Sequence, residues 1–322
     1  MLVFLTGSPK VWGQIIPGFK ATGSFDEQEM RTEGIQPGVT VLINAPLHFK
    51  VGARTKLVLY ALPNGNSIEW TKGKIMQPGD DWHYDIQHIA AQLRFVRRLD
   101  TNTNYFLAYL VTVQKSWPAW KKANPLGKEM IRQLTDSLTS MFSYLQPRIL
   151  LNSHSGGGSF IFGYLDAVHK IPDQIERISF LDSEYGYNDT LHLKKISEWL
   201  KKDRRNTLFA LAYNDSVVIY NGKPLVSPTG GTWYRSRLLQ RGLSAFFRFN
   251  VSTDTAFARY YEKKNRIGII LKENPAGLIY HTVQVERNGF IYSLLFHTRF
   301  DKDKYFRYFG ERAYRTYIDE NE

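Results

Sequence analysis

The stretch Ile149-Leu150-Leu151-Asn152-Ser153-His154-Ser155-Gly156-Gly157-Gly158-Ser159-Phe160-Ile161-Phe162-Gly163 sets the tightest limits on how this chain can fold. An apolar run after Pro147 reads as a short buried strand. Its end is packed with small residues, and an amphipathic run then continues through Tyr164, Leu165 and Val168. Strand, tight turn and helix in that order put Ser155 at the apex of a sharp bend, the context of a nucleophile elbow. The requirement is steric: residues two before and two after the apex pass close together, so neither can be large. Ser153 and Gly157 hold those places. Gly156 keeps the backbone open beside the apex, and its amide is expected to point into the site at a helix N-terminus. An ordinary turn is the plain alternative for such a cluster. Phosphate loops fit less well. No Gly-x-x-x-x-Gly-Lys-Ser/Thr occurs, and Gly156-Gly157-Gly158 does not extend to Gly-x-Gly-x-x-Gly because Ile161 holds the third place.

Composition narrows the classes. The 322 residues are 43% hydrophobic and 14% aromatic, enough to bury a substantial core, so global disorder is excluded. The formal charge is +12, with a pI near 9.6. The basic residues are scattered in pairs such as Lys121-Lys122, Lys194-Lys195, Lys201-Lys202 and Lys263-Lys264, without a long block or a nucleic-acid reading motif. Specific nucleic-acid binding is therefore not expected, and general attraction to acidic surfaces stays open. The absence of cysteine removes a thiol nucleophile, a disulfide framework and thiolate metal sites. No apolar run approaches the roughly 20 residues of a membrane span. Met1-Leu2-Val3-Phe4-Leu5-Thr6-Gly7 is too short and lacks the basic flank of a complete signal peptide, so it reads as a trimmed start or a first strand. A cytoplasmic and an exported, trimmed chain both remain open. No cofactor is expected. His83 and His88 lack the acidic partner of a zinc pattern, so no metal is expected either.

Along the chain, residues 1–38 read as a Gly- and Pro-containing extension over a core of about 39–300. Strands are expected at Val39–Ala45, Thr55–Leu62, Tyr105–Val111, Ile149–Leu151, Arg177–Leu181, Thr207–Tyr213, Ile267–Leu271 and Leu278–Tyr280. Helices are expected over Asp85–Arg98, Lys128–Leu145 and Leu191–Lys201, and around Arg235, Leu238 and Leu239. Alternation of this kind implies an α/β fold: one domain with a mostly parallel central sheet and helices on both faces.

In such a sheet, chemistry gathers outside the C-terminal strand ends. Those ends carry the turn Pro63-Asn64-Gly65-Asn66, the aromatic loop Trp117-Pro118-Ala119-Trp120, then Ser155, Asp182, Asp215 and His281. A serine hydroxyl needs a neighbouring imidazole to take its proton, and a carboxylate to fix that imidazole's tautomer. His281 is the candidate base, with His297 as the alternative. Asp182 is the candidate acid, with Asp215 as the alternative. Gly156 and the turn at Asn64 or Gly65 are the candidate oxyanion donors. Trp117 and Trp120 are the best candidates for a substrate pocket, ahead of Trp70, Trp82 and Trp233. His154, beside the apex, reads as packing.

These motifs resemble the α/β-hydrolase superfamily. They are most similar to a loose group of bacterial hydrolases with a His-Ser-Gly-Gly elbow and a later strand ending in Leu-Asp-x-x-Tyr-Gly. Here these are His154-Ser155-Gly156-Gly157 and Leu181-Asp182-Ser183-Glu184-Tyr185-Gly186. Nucleophile, acid and histidine also follow in the order of that superfamily. Ser153 replaces the first glycine of the usual elbow, and Asn64-Gly65-Asn66 replaces a more familiar His-Gly oxyanion loop. The resemblance implies an α/β-hydrolase fold and a serine hydrolase acting through an acyl-enzyme, on a small or polymer-linked ester. The same apparatus would serve an amidase or peptidase, and a scaffold that has lost its chemistry would serve as a binding protein.

Overall fold

The computed structural model describes residues 12–13, 15–23, 25–74, 78–79 and 87–319. The readings at Met1–Gly7, Trp82, His83 and the first two residues of the helix expected from Asp85 lie outside the described residues. The first seven strands are β1 (Trp12–Gly13), β2 (Lys20–Thr22), β3 (Glu27–Glu33), β4 (Val39–Pro46), β5 (His48–Phe49), β6 (Arg54–Ala61) and β7 (Thr103–Thr112). After them come β8 (Arg148–His154), β9 (Ile175–Leu181), β10 (Thr207–Tyr213) and the short ribbon β11 (Ile219–Tyr220) and β12 (Lys223–Pro224). The last are β13 (Phe249–Thr253), β14 (Phe257–Glu262) and β15 (Ile267–Lys272). The helices are α1 (Ile68–Lys72), α2 (Ile89–Leu99), α3 (Trp117–Ala123), α4 (Gly127–Met141), α5 (Gly158–Ala167), α6 (Lys194–Lys202), α7 (Thr232–Ser244) and α8 (Phe290–Leu295).

One sheet of eleven strands runs in the order β13-β14-β15-β10-β9-β8-β6-β7-β4-β3-β2. Its six middle strands, β15 to β7, are mutually parallel. Both edges are antiparallel. The parallel strands read as near-continuous apolar runs because both of their faces are covered. Alternate residues of β6 show this directly. Leu57, Leu59 and Ala61 enter a core that also holds residues of α3, α4, α5 and α6. Val58 and Tyr60 enter a second core with residues of α2, α8 and the C-terminal segment.

Three expectations change. Residues 20–33 are not a cover over the core but strands β2 and β3, paired to the sheet edge through β4. Leu278–Tyr280 is not a strand: it has no sheet partner, and the Asn274 side chain holds this turn by accepting from the Leu278 amide and donating to its carbonyl. The core does not end near 300, since Phe306 and Tyr314 are buried against the α2–α8 layer.

Candidate active site

Strand β8 delivers His154 at its last position, and Ser155 follows with φ +54°. A non-glycine residue held there costs on the order of 1–2 kcal/mol and persists only where its surroundings over-determine it. Ser155-Gly156-Gly157 makes one tight 3₁₀ turn, and α5 begins at Gly158. Close approach explains the three glycines. A Cβ on Gly157 would lie 2.1 Å from the Ala61 carbonyl oxygen, and one on Gly158 would lie 1.8 Å from that of Ser183. A Cβ on Gly156 would lie 2.0 Å from Oδ1 of Asn64, so the exposed Asn64 side chain rests on the backbone beside Ser155.

Asp182 follows β9 with φ +50° and is fully buried. Its two carboxylate oxygens have different partners: Oδ2 is hydrogen-bonded to Nδ1 of His281, and Oδ1 accepts from the Thr232 hydroxyl. The His281 imidazole is one-quarter exposed, at 25%. Its backbone is tied down as well. The buried His154 ring lies 4.5 Å from the His281 ring, centroid to centroid, and donates from Nε2 to the His281 carbonyl at 3.2 Å. That proton sits on Nε2 because Nδ1 accepts from the Gln87 side chain at 3.0 Å, and Gln87 in turn accepts from the Tyr60 hydroxyl at 2.6 Å. Burial, with His281 adding to it, holds the His154 pKa well below the usual range, so this ring is a neutral tether. Ser155 is half-buried, and its hydroxyl hydrogen-bonds to none of the described residues.

Asp215, after β10, is buried behind this pair. Its Oδ2 accepts from the Thr232 amide at 2.8 Å and lies 3.3 Å from the Thr232 hydroxyl, so its bonds go to Thr232 rather than to His281. Burial, reinforced by the Asp182 charge, raises its pKa to about 6 against the opposing hydrogen bonds from Thr232. Glu184 is buried too and accepts from the Ser183 amide at 2.9 Å. Burial, with Asp182 again contributing, pushes its carboxyl well above the carboxylate range. Three buried carboxyl groups thus share one neighbourhood, and only Asp182 faces the imidazole.

Other sequence candidates are placed elsewhere. The Gly65 amide is occupied, donating to the Lys115 carbonyl at 2.8 Å, which removes it as an oxyanion donor. Trp117 and Trp120 are not on a loop. They start α3 and pack in the core, each 1% exposed, with their indole N–H groups on the Leu110 and Pro37 carbonyls. They therefore support the elbow helix from beneath, Trp117 stacking edge-on against Phe160, and do not line a pocket. Trp233 packs against the same core from a half-buried position, and Trp70 is half-buried on α1. His297 lies at the opposite end of the strands, in a cavity lined by the starts of β6 and β8. Thr232, Gln87 and Tyr60 have no motif to mark them. The one trace was Gly231, where a Cβ would lie 2.3 Å from Asp215 Oδ1.

Among the described residues, no group of three or more His, Asp or Glu is placed to hold a metal ion, and no helix is long and apolar enough to cross a membrane. No family model and no curated protein sequence matches the chain. Among solved structures the chain is similar to a thermostable esterase, at 12% identity and TM-score 0.48, over 82% of this chain and 60% of that one. It is also similar to a glucuronoyl esterase from Solibacter usitatus, at 11% identity and TM-score 0.42, over 83% of this chain and 82% of that one. A third is oligopeptidase B from Trypanosoma brucei, at 10% identity and TM-score 0.41, over 84% of this chain and 37% of that one. The fold is an α/β fold with a parallel centre covered on both faces and a serine at a strand–turn–helix apex, the layout that the α/β-hydrolase resemblance implies.

Proposed function

We propose that this chain is a serine hydrolase that cleaves a carboxylic ester through an acyl-enzyme. Ser155 is the nucleophile, His281 the base and Asp182 the acid. The observation that carries the reading is the His281 Nδ1–Asp182 hydrogen bond, with Ser155 strained at a glycine-lined apex directly after His154, whose ring packs against that of His281. With Nδ1 committed to Asp182, Nε2 is the nitrogen left to take the Ser155 proton. The Ser155 oxygen then attacks the ester carbonyl carbon, and the carbonyl π electrons move onto oxygen. The Gly156 amide and the Asn64 side-chain amide receive that oxyanion. Its collapse breaks the bond to the alcohol oxygen, which leaves with the proton from His281. Water repeats the sequence on the acyl-enzyme, releasing the acid and restoring Ser155. Asp182 keeps its charge throughout and stabilises the imidazolium.

A fluorophosphonate probe and short-chain p-nitrophenyl esters test this directly. Ser155→Ala is expected to abolish labelling and turnover while leaving the thermal unfolding transition in place. Asp182→Asn should lower kcat by about 10⁴, as in a comparable triad, and Asp215→Asn should leave most of it. Labelling that survives Ser155→Ala, or a dead Asp215→Asn beside an active Asp182→Asn, overturns these assignments. Turnover of p-nitroanilides in preference to the esters would move the substrate to the amide class.

A further inference from the structure

At the opposite end of the parallel strands from Ser155 lies a cavity of about 1050 Å³. Strand β8 puts Arg148 there and Ser155 just beyond its other end, so the two regions lie roughly 20 Å apart at about 3.3 Å per strand residue. The cavity wall carries Arg54, Lys56, Arg148, Arg177, Arg204 and Arg299, against the carboxylates of Asp100 and Glu176. Arg205 also reaches it but is paired with Asp203. About a third of the chain's formal charge of +12 therefore sits in one concavity, although in sequence it is dispersed over some 250 residues.

Two of these cations lie at the buried floor. Lys56 and Arg177 are each 3% exposed, and Lys56 is ion-paired to Glu176 at 3.4 Å, with Asp100 also near it. Arg177 donates to the Ser293 and Phe296 carbonyls, yet its buried Nε has no partner. At the rim, Arg54, Arg204 and Arg299 are exposed and make no ion pair among the described residues. Guanidinium groups lining one concave wall match tetrahedral oxyanions, which accept paired N–H donors and offset clustered positive charge. The two buried cations face two carboxylates, Asp100 and Glu176, so the positive charge left without a counter-charge in the cavity is that of its rim arginines.

We propose that this cavity binds a compact polyanion bearing two or more phosphate or sulfate groups, with Arg54 and Arg204 gripping it at the rim. The site is independent of the ester chemistry at the other end of the strands. Calorimetric titration of the full chain with inorganic tripolyphosphate, and in parallel with a fully sulfated disaccharide at the same ionic strength, tests it and tells the two sources apart. Saturable one-to-one binding of at least one is expected, weakened about tenfold or more in Arg54→Glu and in Arg204→Glu. Both residues are exposed, so both variants should keep the wild-type unfolding temperature. Lys20→Glu and Lys122→Glu, which change the same charge on exposed residues outside the cavity, should bind as wild type. No saturable binding of either anion overturns the proposal. So does equal weakening by the Lys20 and Lys122 variants, which would reduce the effect to the chain's net charge.

Discussion

The Asn64 side chain, rather than a backbone amide of its turn, is the group that lies against the apex. The Gly65 amide is used internally by Lys115, whereas the Asn64 side chain lies on Gly156, next to the apex. A carboxamide in that position can present an N–H to an oxyanion that forms only during reaction, so its removal should act on kcat more than on KM. Asn64→Ala is expected to lower kcat about 100-fold or more, as loss of one such donor does elsewhere, with the unfolding temperature nearly unchanged because the side chain is exposed. Unaltered steady-state kinetics in Asn64→Ala would return the role to backbone donors alone. Single residues could be nominated where chemistry and strand ends coincided, as at Ser155 and Asp182, whereas His281 was nominated from a strand at Leu278–Tyr280 that is a turn. They were not legible where the role is only to hold something. Thr232 is an unremarkable residue at a helix start, and nothing local connects it with Asp182, 50 positions earlier. Gln87 and Tyr60 reach His154 across the fold in the same way.

At the scale of elements, the parallel strands were the easy part, because burial on both faces writes an apolar run. The antiparallel edge at β3 was not readable for the opposite reason. Its sequence, Glu-Gln-Glu-Met-Arg-Thr-Glu, has one β-branched residue, and only its first two residues are buried. Beyond its ladder with β4 and the packing of Met30 on the core, β3 is tied down by an ion cluster. Glu27, 2% exposed, accepts from Arg94 at 2.9 and 3.1 Å and from Arg97 at 2.6 Å, both guanidinium groups coming from α2. Arg94 also reaches the Tyr317 carbonyl, so one cluster joins an edge strand, a helix and the C-terminal segment. Such a cluster contributes little net stability compared with apolar packing, yet breaking it from one side leaves charges buried and unpaired. Glu27→Ala should therefore cost about 3–5 kcal/mol in urea unfolding. A loss under about 1 kcal/mol would show that the two arginines find water or other partners at no great cost.

Over the whole molecule, charge is sorted to the two ends of the strands: cations gather where the strands begin, and buried carboxyl groups gather where β9 and β10 end. The second arrangement has a signature in stability against pH. Asp215 has a pKa of about 6 in the folded chain against an ordinary 3.8, so between those values the native state holds a proton that the unfolded state has released. Native protonation in excess means that this group's contribution to stability falls as pH rises through the window, and the full penalty stands above about pH 6. Two pKa units correspond to about 3 kcal/mol. His88 works the other way. Burial, with Arg312 adding to it, lowers its pKa to about 4, so its neutral form is favoured and stability is lost as pH falls from about 6.5 towards 4. The wild-type profile mixes the two, and a difference between variants separates them. Asp215→Asn removes the charge but keeps an acceptor for the Thr232 amide. Relative to wild type it should gain up to about 3 kcal/mol more at pH 8 than at pH 4, because at the lower pH the native Asp215 is already protonated. Equilibrium urea unfolding of both proteins at the two pH values measures this. If the wild-type-to-variant difference is the same at pH 4 and pH 8, or larger at pH 4, Asp215 is ionised in the folded chain at no cost, and Asp182 does not repel it through Thr232.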